Sequence, residues 1–480
     1  MNKPTEHTLE GRSALAMLIA RLHFYIGLFV GPFIFIAALT GTLYVLTPQL
    51  EDALYRSVLS TPARGEAKPL AQQIAAAQSS LGEDLTLFAV RPAPLPGDTT
   101  RVMFLDPGVA FSGARAVFVD PVTLSVTGNL PVYGTSGVLP LRLNIDYMHR
   151  QLMLGEAGRY YSELAASWLW IVALGGLYLW WRGRGRRQGV PAASAPVLRT
   201  RRRHALLGVV LLPGLVFFSV TGLTWSKWAG DNIGSLRSEL GWTTPSLSRE
   251  LSPLPQRVVA AGTPSGGEHA DHGHGGPDEE GLAHVGHAAQ GNGPMFDAVL
   301  KAARDAGIDA HKLEIRPART DNQAWEVREI DRRWPTQVDS VAVDPRTLDI
   351  VSRADFVEFP LVAKLIRWGV DAHMGILFGW VNQLLVAALG AALCVLIVWG
   401  YRMWWLRRPR AGVTSQPLLD AWAKLAAMQR WGVVAIALLL GLSLPLMGAS
   451  LLAFLVVDGL RWRFGRQSPM RSQAERERAY

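Results

Sequence analysis

Two histidines stand at the mouths of two apolar stretches that resemble each other. The stretches "RLHFYIGLFVGPFIFIAALTG" (Arg21 to Gly41) and "RHALLGVVLLPGLVFFSVTG" (Arg203 to Gly222) align as His-x3-Gly-x4-Pro-x7-Thr-Gly. His23, Gly27, Pro32, Thr40 and Gly41 fall on His204, Gly208, Pro213, Thr221 and Gly222, an offset of 181 residues. Only these five of the 19 aligned positions are identical, so the apolar filler drifted between the copies while the histidine stayed. A second pair repeats at an offset of 224: His149, Gly155, Gly176, Trp180 and Trp181 against His373, Gly379, Gly400, Trp404 and Trp405. An ionisable ring in hydrocarbon is costly, which makes each of these histidines a functional candidate. A repeat of two crossings per unit relates its halves by an axis along the membrane normal, setting His23 opposite His204 and His149 opposite His373. Two facing imidazoles suit a six-coordinate haem iron, or less specifically a zinc, copper or nickel ion. Gly27 and Gly208 lie one turn beyond His23 and His204 on the same helix face, where a side chain would meet a porphyrin. Arg21 and Arg203 are placed to neutralise propionates. The chain has one cysteine, Cys394, and so no Cys-x-x-Cys-His attachment site; two haems of the b type, held non-covalently, are the expectation. A duplicated histidine of purely structural use would also appear twice, and an interfacial ring that reaches back to water is the plain alternative for His23.

Positioning such pairs requires membrane helices. Of the 480 residues, 49% are hydrophobic and 18% charged, a mixture that describes a multi-pass membrane protein with sizeable extramembrane parts. The net charge of +9 does not point to nucleic acid, because the arginines flank the apolar runs. Four spans are expected, at 22–47, 163–182, 204–226 and 377–401, each near the roughly 20 residues of a bilayer crossing. The first is read as an uncleaved anchor. The loop 183–203 and its edge, "RGRGRRQGVPAASAPVLRTRRR", carry eight arginines and no acid, which makes the loop cytoplasmic. Residues 1–21, 402–430 and 461–480 fall on the same side, with both termini cytoplasmic, and 48–162 and 227–376 lie outside. The tail 431–460 is long for one span and short for two; with basic flanks and Pro445 near its middle it is read as a hairpin.

Each outer segment reads as a helix followed by strands. "PLAQQIAAAQSSL" precedes "LTLFAVRP", "TRVMFLD", "ARAVFVDP" and "TLSVTG"; "MFDAVLKAARDAGI" precedes "HKLEIRP", "AWEVREI", "SVAVDP" and "TLDIVS". Hairpin turns are expected at Asp120 and Asp344, where "VFVDPVTL" matches "VAVDPRTL". The second half carries 43 extra residues, which include the Gly-rich tract 262–293 with His269, His272, His274, His284 and His287. This tract is read as a loop with loose transition-metal affinity, or as a plain solvated linker. His7 and His311 have no matched partner and read as surface residues. The fold class is therefore a polytopic α-helical membrane protein, two parallel repeats of helix, outer α+β domain and helix, followed by the hydrophobic hairpin.

The motifs "RLHFYIGLFVGPFIFIAALTG", "MHRQLMLGEAGRYYSELAASW", "GLYLWW" and "AHMGILFGWVNQ", with the two Asp-Pro hairpins, resemble the PepSY-associated transmembrane family of bacterial inner-membrane proteins, often described as iron-regulated. The resemblance implies PepSY-like periplasmic domains, an inner-membrane location and, through a siderophore-reductase branch, two bound haems that serve iron release from ferric siderophores. Carried over, it implies haem roles for His23, His204, His149 and His373. The expected function is electron transfer across the membrane to a periplasmic ferric siderophore or other ferric chelate, from an unidentified donor, since no Gly-x-Gly-x-x-Gly fingerprint follows a strand. Tyr147, Arg150, Arg159 and Tyr160, near the outer histidine in sequence, are candidate substrate contacts. Two other classes stay open: a metal transporter with the histidines as relay ligands, and a PepSY sensor or protease-inhibitory module on a membrane anchor.

Overall fold

The computed structural model describes residues 6–81, 85–108, 113–133, 138–184, 195–251, 293–407 and 418–477. The His-rich tract, with His269, His272, His274, His284 and His287, lies outside the described residues, as do residues 185–194 of the basic loop. The chain divides into two compact units, Met1–Leu43 with Tyr147–Leu236 and Ala387–Tyr480, and Tyr44–Asp146 with Arg237–Val386.

Four helices are long and apolar enough to cross a bilayer: Ala14–Val45, Gly155–Gly183, Pro196–Leu223 and Gly379–Leu406. The first contains a π-turn at Ile26–Val30. Just beyond it, Pro32 has no N–H to offer the carbonyl of Leu28. The hydroxyl of Tyr401, on the fourth span, donates to that carbonyl at 2.7 Å instead. The second and fourth spans each open on a left-handed glycine, Gly155 (φ 59°) and Gly379 (φ 60°), a conformation that any side chain would strain. These two glycines are a matched pair of the repeat, so a backbone requirement accounts for their retention. In the core of this unit Ile26, Val30, Trp168, Leu169, Leu211, Leu215 and Leu393 are buried together.

The tail forms two helices, Ala427–Ser443 and Pro445–Glu477. A Cβ on Gly441 would lie 3.4 Å from Cα of Gly448. In a continuous helix residues seven apart stand roughly 10 Å from one another, so the chain folds back at Leu444. Trp168 Nε1 donates to Ser450 Oγ at 2.9 Å, tying the second tail helix to the second span.

The other unit is built on one antiparallel sheet of eight strands: β1 (Thr86–Arg91), β2 (Thr100–Leu105), β3 (Ala114–Val119), β4 (Val126–Pro131), β5 (Leu313–Arg316), β6 (Trp325–Glu329), β7 (Ser340–Val343) and β8 (Ile350–Ala354). Their order is β4-β3-β2-β1-β5-β6-β7-β8, so the two outer segments share a single sheet through the pairing of Val90 with Ile315. One face is apolar and is covered by the helices Leu70–Leu81 and Gly293–Asp305, with Leu87, Val90, Phe104, Phe296, Ile315 and Trp325 in one core. Asp297 of the second helix caps the first, accepting from the N–H groups of Leu70 and Ala71 at 2.7 and 3.1 Å. The Asp-Pro hairpins correspond bond for bond. Asp120 N donates to Ser125 O and Asp344 N to Asp349 O, both at 2.9 Å, and each turn holds a left-handed leucine, Leu124 (φ 65°) and Leu348 (φ 63°). Bulges also fall at matched positions, Phe118/Val119 and Ala342/Val343.

Candidate functional site

His23 and His204 meet within the membrane unit. Their ring centres are 6.4 Å apart and their planes stand at 89°. Each ring is anchored by a backbone carbonyl of a different span. Nδ1 of His23 donates to Val172 O at 3.0 Å, and Nδ1 of His204 donates to Leu396 O at 3.0 Å. Val172 and Leu396 are themselves 224 residues apart, so the two anchors obey the same offset as the repeat. A carbonyl only accepts, so each Nδ1 carries the ring proton and the lone pair is left on Nε2. This is the arrangement in which an outer hydrogen bond fixes the tautomer and aims a metal-binding nitrogen.

The spacing can be tested against a metal centre. An imidazole nitrogen sits about 2.0 Å from a metal such as zinc and roughly 1.1 Å from its own ring centre, so two rings on opposite sides of one ion stand about 6.2 Å apart. The observed 6.4 Å matches that separation in length. Among the described residues no three His, Cys, Asp or Glu side chains converge on one point. A bare zinc or copper ion wants about four ligands and would find only the two rings here; a haem iron wants two axial ligands and brings its own four nitrogens.

The glycines that make room for these rings are Gly176 and Gly400. A Cβ on Gly176 would come within 3.1 Å of His23 Cε1, and one on Gly400 within 3.7 Å of His204 Cε1. Both are matched positions of the repeat, so the signal was present in the sequence without a role attached. Gly27 and Gly208, assigned from sequence to clearing a porphyrin, differ in surroundings: Gly27 opens on space, with nothing within 4 Å of a Cβ, and Gly208 faces Leu396 Cδ1 at 3.5 Å. Arg21, half-buried, lines a cavity with Met17, Phe24, Asp420 and Lys424; Arg203 is exposed beside His204.

His149 is anchored in the same manner. It lies near the end of the helix Pro140–Gln151, and its Nδ1 donates to Ala37 O at 3.0 Å with Thr40 Oγ1 at 3.2 Å. A Cβ on Gly41 would press on His149 Cε1 at 3.1 Å. Tyr161 OH donates to the carbonyls of Met148 and His149, which fixes the helix end beneath the ring. Ala37 lies fourteen residues beyond His23 on the first span, so the His149 ring and the His23–His204 pair are separated by roughly 20 Å of helix. His373 closes the helix Leu361–His373 in the sheet-bearing unit.

The residues assigned from sequence to substrate contact have structural partners. Tyr147 is buried, with the Arg150 guanidinium 5.7 Å from its ring centre. Arg159 donates to Trp225 O at 3.2 Å, and the Tyr160 ring packs on Trp228 at 4.6 Å. Sequence reading missed Glu163, a fully buried carboxylate on the second span. It accepts from the N–H groups of Trp228 and Ala229 at 3.0 and 3.2 Å, capping the helix Trp228–Glu239. His311 is exposed.

Four apolar helices with histidines anchored between them, together with an α+β sheet, define a membrane protein of mixed architecture. The chain belongs to the family of the PepSY-associated TM region, whose model matches residues 20–407. No curated protein matches the chain in sequence.

Proposed function

We propose that this protein is an inner-membrane b-type haem protein that passes electrons outward to a ferric chelate. The observation that carries the reading is the His23–His204 pair: two rings 6.4 Å apart, each proton-bonded at Nδ1 to a carbonyl of a different span. His23 and His204 would hold one haem, with Arg21 and Arg203 as partners for its propionates. By the same sequence repeat, His149 and His373 would be the residues to hold a second. Haem bound at these positions supplies one-electron redox chemistry. The protein's own part is to hold the ligand nitrogens in one tautomer, to exclude water from the inner pair and to carry the outer sheet. The ferric ion gains one electron and becomes ferrous; a donor on the cytoplasmic side, to which the basic loop faces under the positive-inside rule, loses it.

The full chain purified from haem-replete cells tests this. About two haems per chain with low-spin bis-histidine spectra are expected, and His23→Ala or His204→Ala removes one of them while the protein stays folded. Folded, colourless wild-type protein overturns the reading.

A further inference from the structure

The segment that joins the sheet to the fourth span turns its charges inward and its leucines outward. It runs from the turn Phe356–Glu358 through the helix Leu361–His373 to Gly379, all within the sheet-bearing unit. Leu361 and Leu365, one helical turn apart and so on one face, are 67 and 55% exposed, and Val357 just before the helix is 78% exposed. Val362 and Ile366 stand beside them, half-buried. Asp371, by contrast, is fully buried; its carboxylate accepts from Nε of Arg332 at 2.6 Å and lies 3.5 Å from Nε of Arg367. Lys364 folds back on the backbone, its Nζ donating to Val357 O at 2.6 Å. A helix on the surface of a water-soluble domain has the reverse arrangement, with its apolar stripe inward and its charges in solvent. A contiguous apolar patch of this kind, unlike a single exposed leucine, calls for an occupant.

The patch is continuous with the opening of the span. The Trp334 ring stands 5.5 Å from Trp368 and 6.1 Å from Phe378, and the Trp334 N–H donates to Leu377 O at 2.8 Å, which ties a loop of the sheet to the turn between helix and span. Trp334 and Phe378 are exposed, as are Trp380, Val381 and Leu384 on the first turns of the span. Exposed side chains of a span face lipid, so an apolar surface that runs on from them meets the edge of the same bilayer. Indole rings with one apolar and one polar end belong at that level. Trp368 has this form, its ring among aromatics and its Nε1 donating to Thr336 Oγ1 at 3.1 Å. The repeat does not impose the pattern: at the offset of 224 the positions of Leu361, Ile366 and Trp368 hold Gly137, Arg142 and Asn144. The face is thus a property of the second copy.

We infer that the helix Leu361–His373 lies in the membrane interface, with its Leu361 and Leu365 face sunk between lipid headgroups and upper acyl chains, and that it seats the sheet on the bilayer surface. Its partner is lipid, and its polar side is occupied by the domain it carries. The inference rests on the fourth span and the sheet and does not use the haem reading.

The test places a nitroxide label on the full chain in phosphatidylcholine nanodiscs, at single cysteines introduced by Leu361→Cys or Leu365→Cys after Cys394→Ala; Cys394→Ser provides a second background. Leu384→Cys, on the exposed side of the span, gives the lipid reference. Lys301→Cys, on the helix Gly293–Asp305 with its side chain 76% exposed, gives the water reference. Collision of the label with oxygen, which partitions into lipid, and with a nickel chelate, which stays in water, is read from each spectrum. Labels at Leu361 and Leu365 are expected to favour oxygen over nickel, as at Leu384 and opposite to Lys301. Access to nickel above oxygen at both positions places the face in water and overturns the inference. Low access to both reagents marks a protein cover, either a second copy or another segment of the chain, and overturns it as well. The unfolding temperature of each labelled protein against wild type checks that the fold is kept.

Discussion

A Cβ added to Gly176 would stand 3.1 Å from Cε1 of His23, closer than most real contacts of that kind. The equivalent approach of Gly400 to His204 is looser, at 3.7 Å. The two halves of the pair should therefore differ in tolerance. Gly176→Leu is expected to push His23 off the Val172 carbonyl and to remove about half of the bound haem. Gly400→Ala should leave the content unchanged. The haem-to-protein ratio of the purified variants measures both.

Asp458 holds the tail to the first span. The residue is 1% exposed, and its carboxylate accepts from Tyr25 OH at 2.6 Å and from the Leu419 N–H at 3.2 Å. An acid within an apolar tail is costly unless it is so occupied. Asp458→Ala strands both donors and should cost about 1.5–3 kcal/mol, the range for bonds to a charged group. Faster proteolysis of the tail, with the outer sheet still resistant, is the expected readout. Equal protection in the variant and wild type would remove this role.

The buried Glu314 gives the sheet an acid limit. Burial works to raise its carboxyl pKa, but Arg316, Arg91 and Arg328 outweigh that and hold it at about 2, against an ordinary 4.5. A carboxyl depressed in the folded state contributes stability that is complete above its unfolded value and is lost as the pH falls through the folded one. The wild-type unfolding temperature should thus decline between about pH 4.5 and about pH 2. Glu314→Gln should flatten that decline, as followed by tryptophan fluorescence during acid titration.

Several features of the site were legible at single positions. The matched histidines, the retained Gly176 and Gly400 and the Asp-Pro turns all stood out, because a duplicated sequence keeps what its geometry requires while apolar filler drifts. The partners of the histidines were not legible. Val172 and Leu396 act through their carbonyls, and every residue has one, so no side-chain type marks them. Nor did Glu163 announce itself: a carboxylate on a span reads as an anomaly until the N–H groups of Trp228 and Ala229 are placed against it.

Local pattern sufficed for whatever depends on short range. Apolar runs long enough for a bilayer, strands of alternating burial and turns with Asp-Pro are set by residues within a few positions of one another, and the sequence alone determined them. Tertiary structure decided the rest, since it depends on pairings between residues hundreds of positions apart. The joining of β1 to β5 made one sheet of two outer segments and brought Arg91 beside Glu314. The packing of spans set His23 and His204 6.4 Å apart with their planes crossed. Hydropathy and period fix which face of an element turns inward, but not which neighbour it meets or at what register; that choice is made by the close packing and hydrogen bonding of the whole chain.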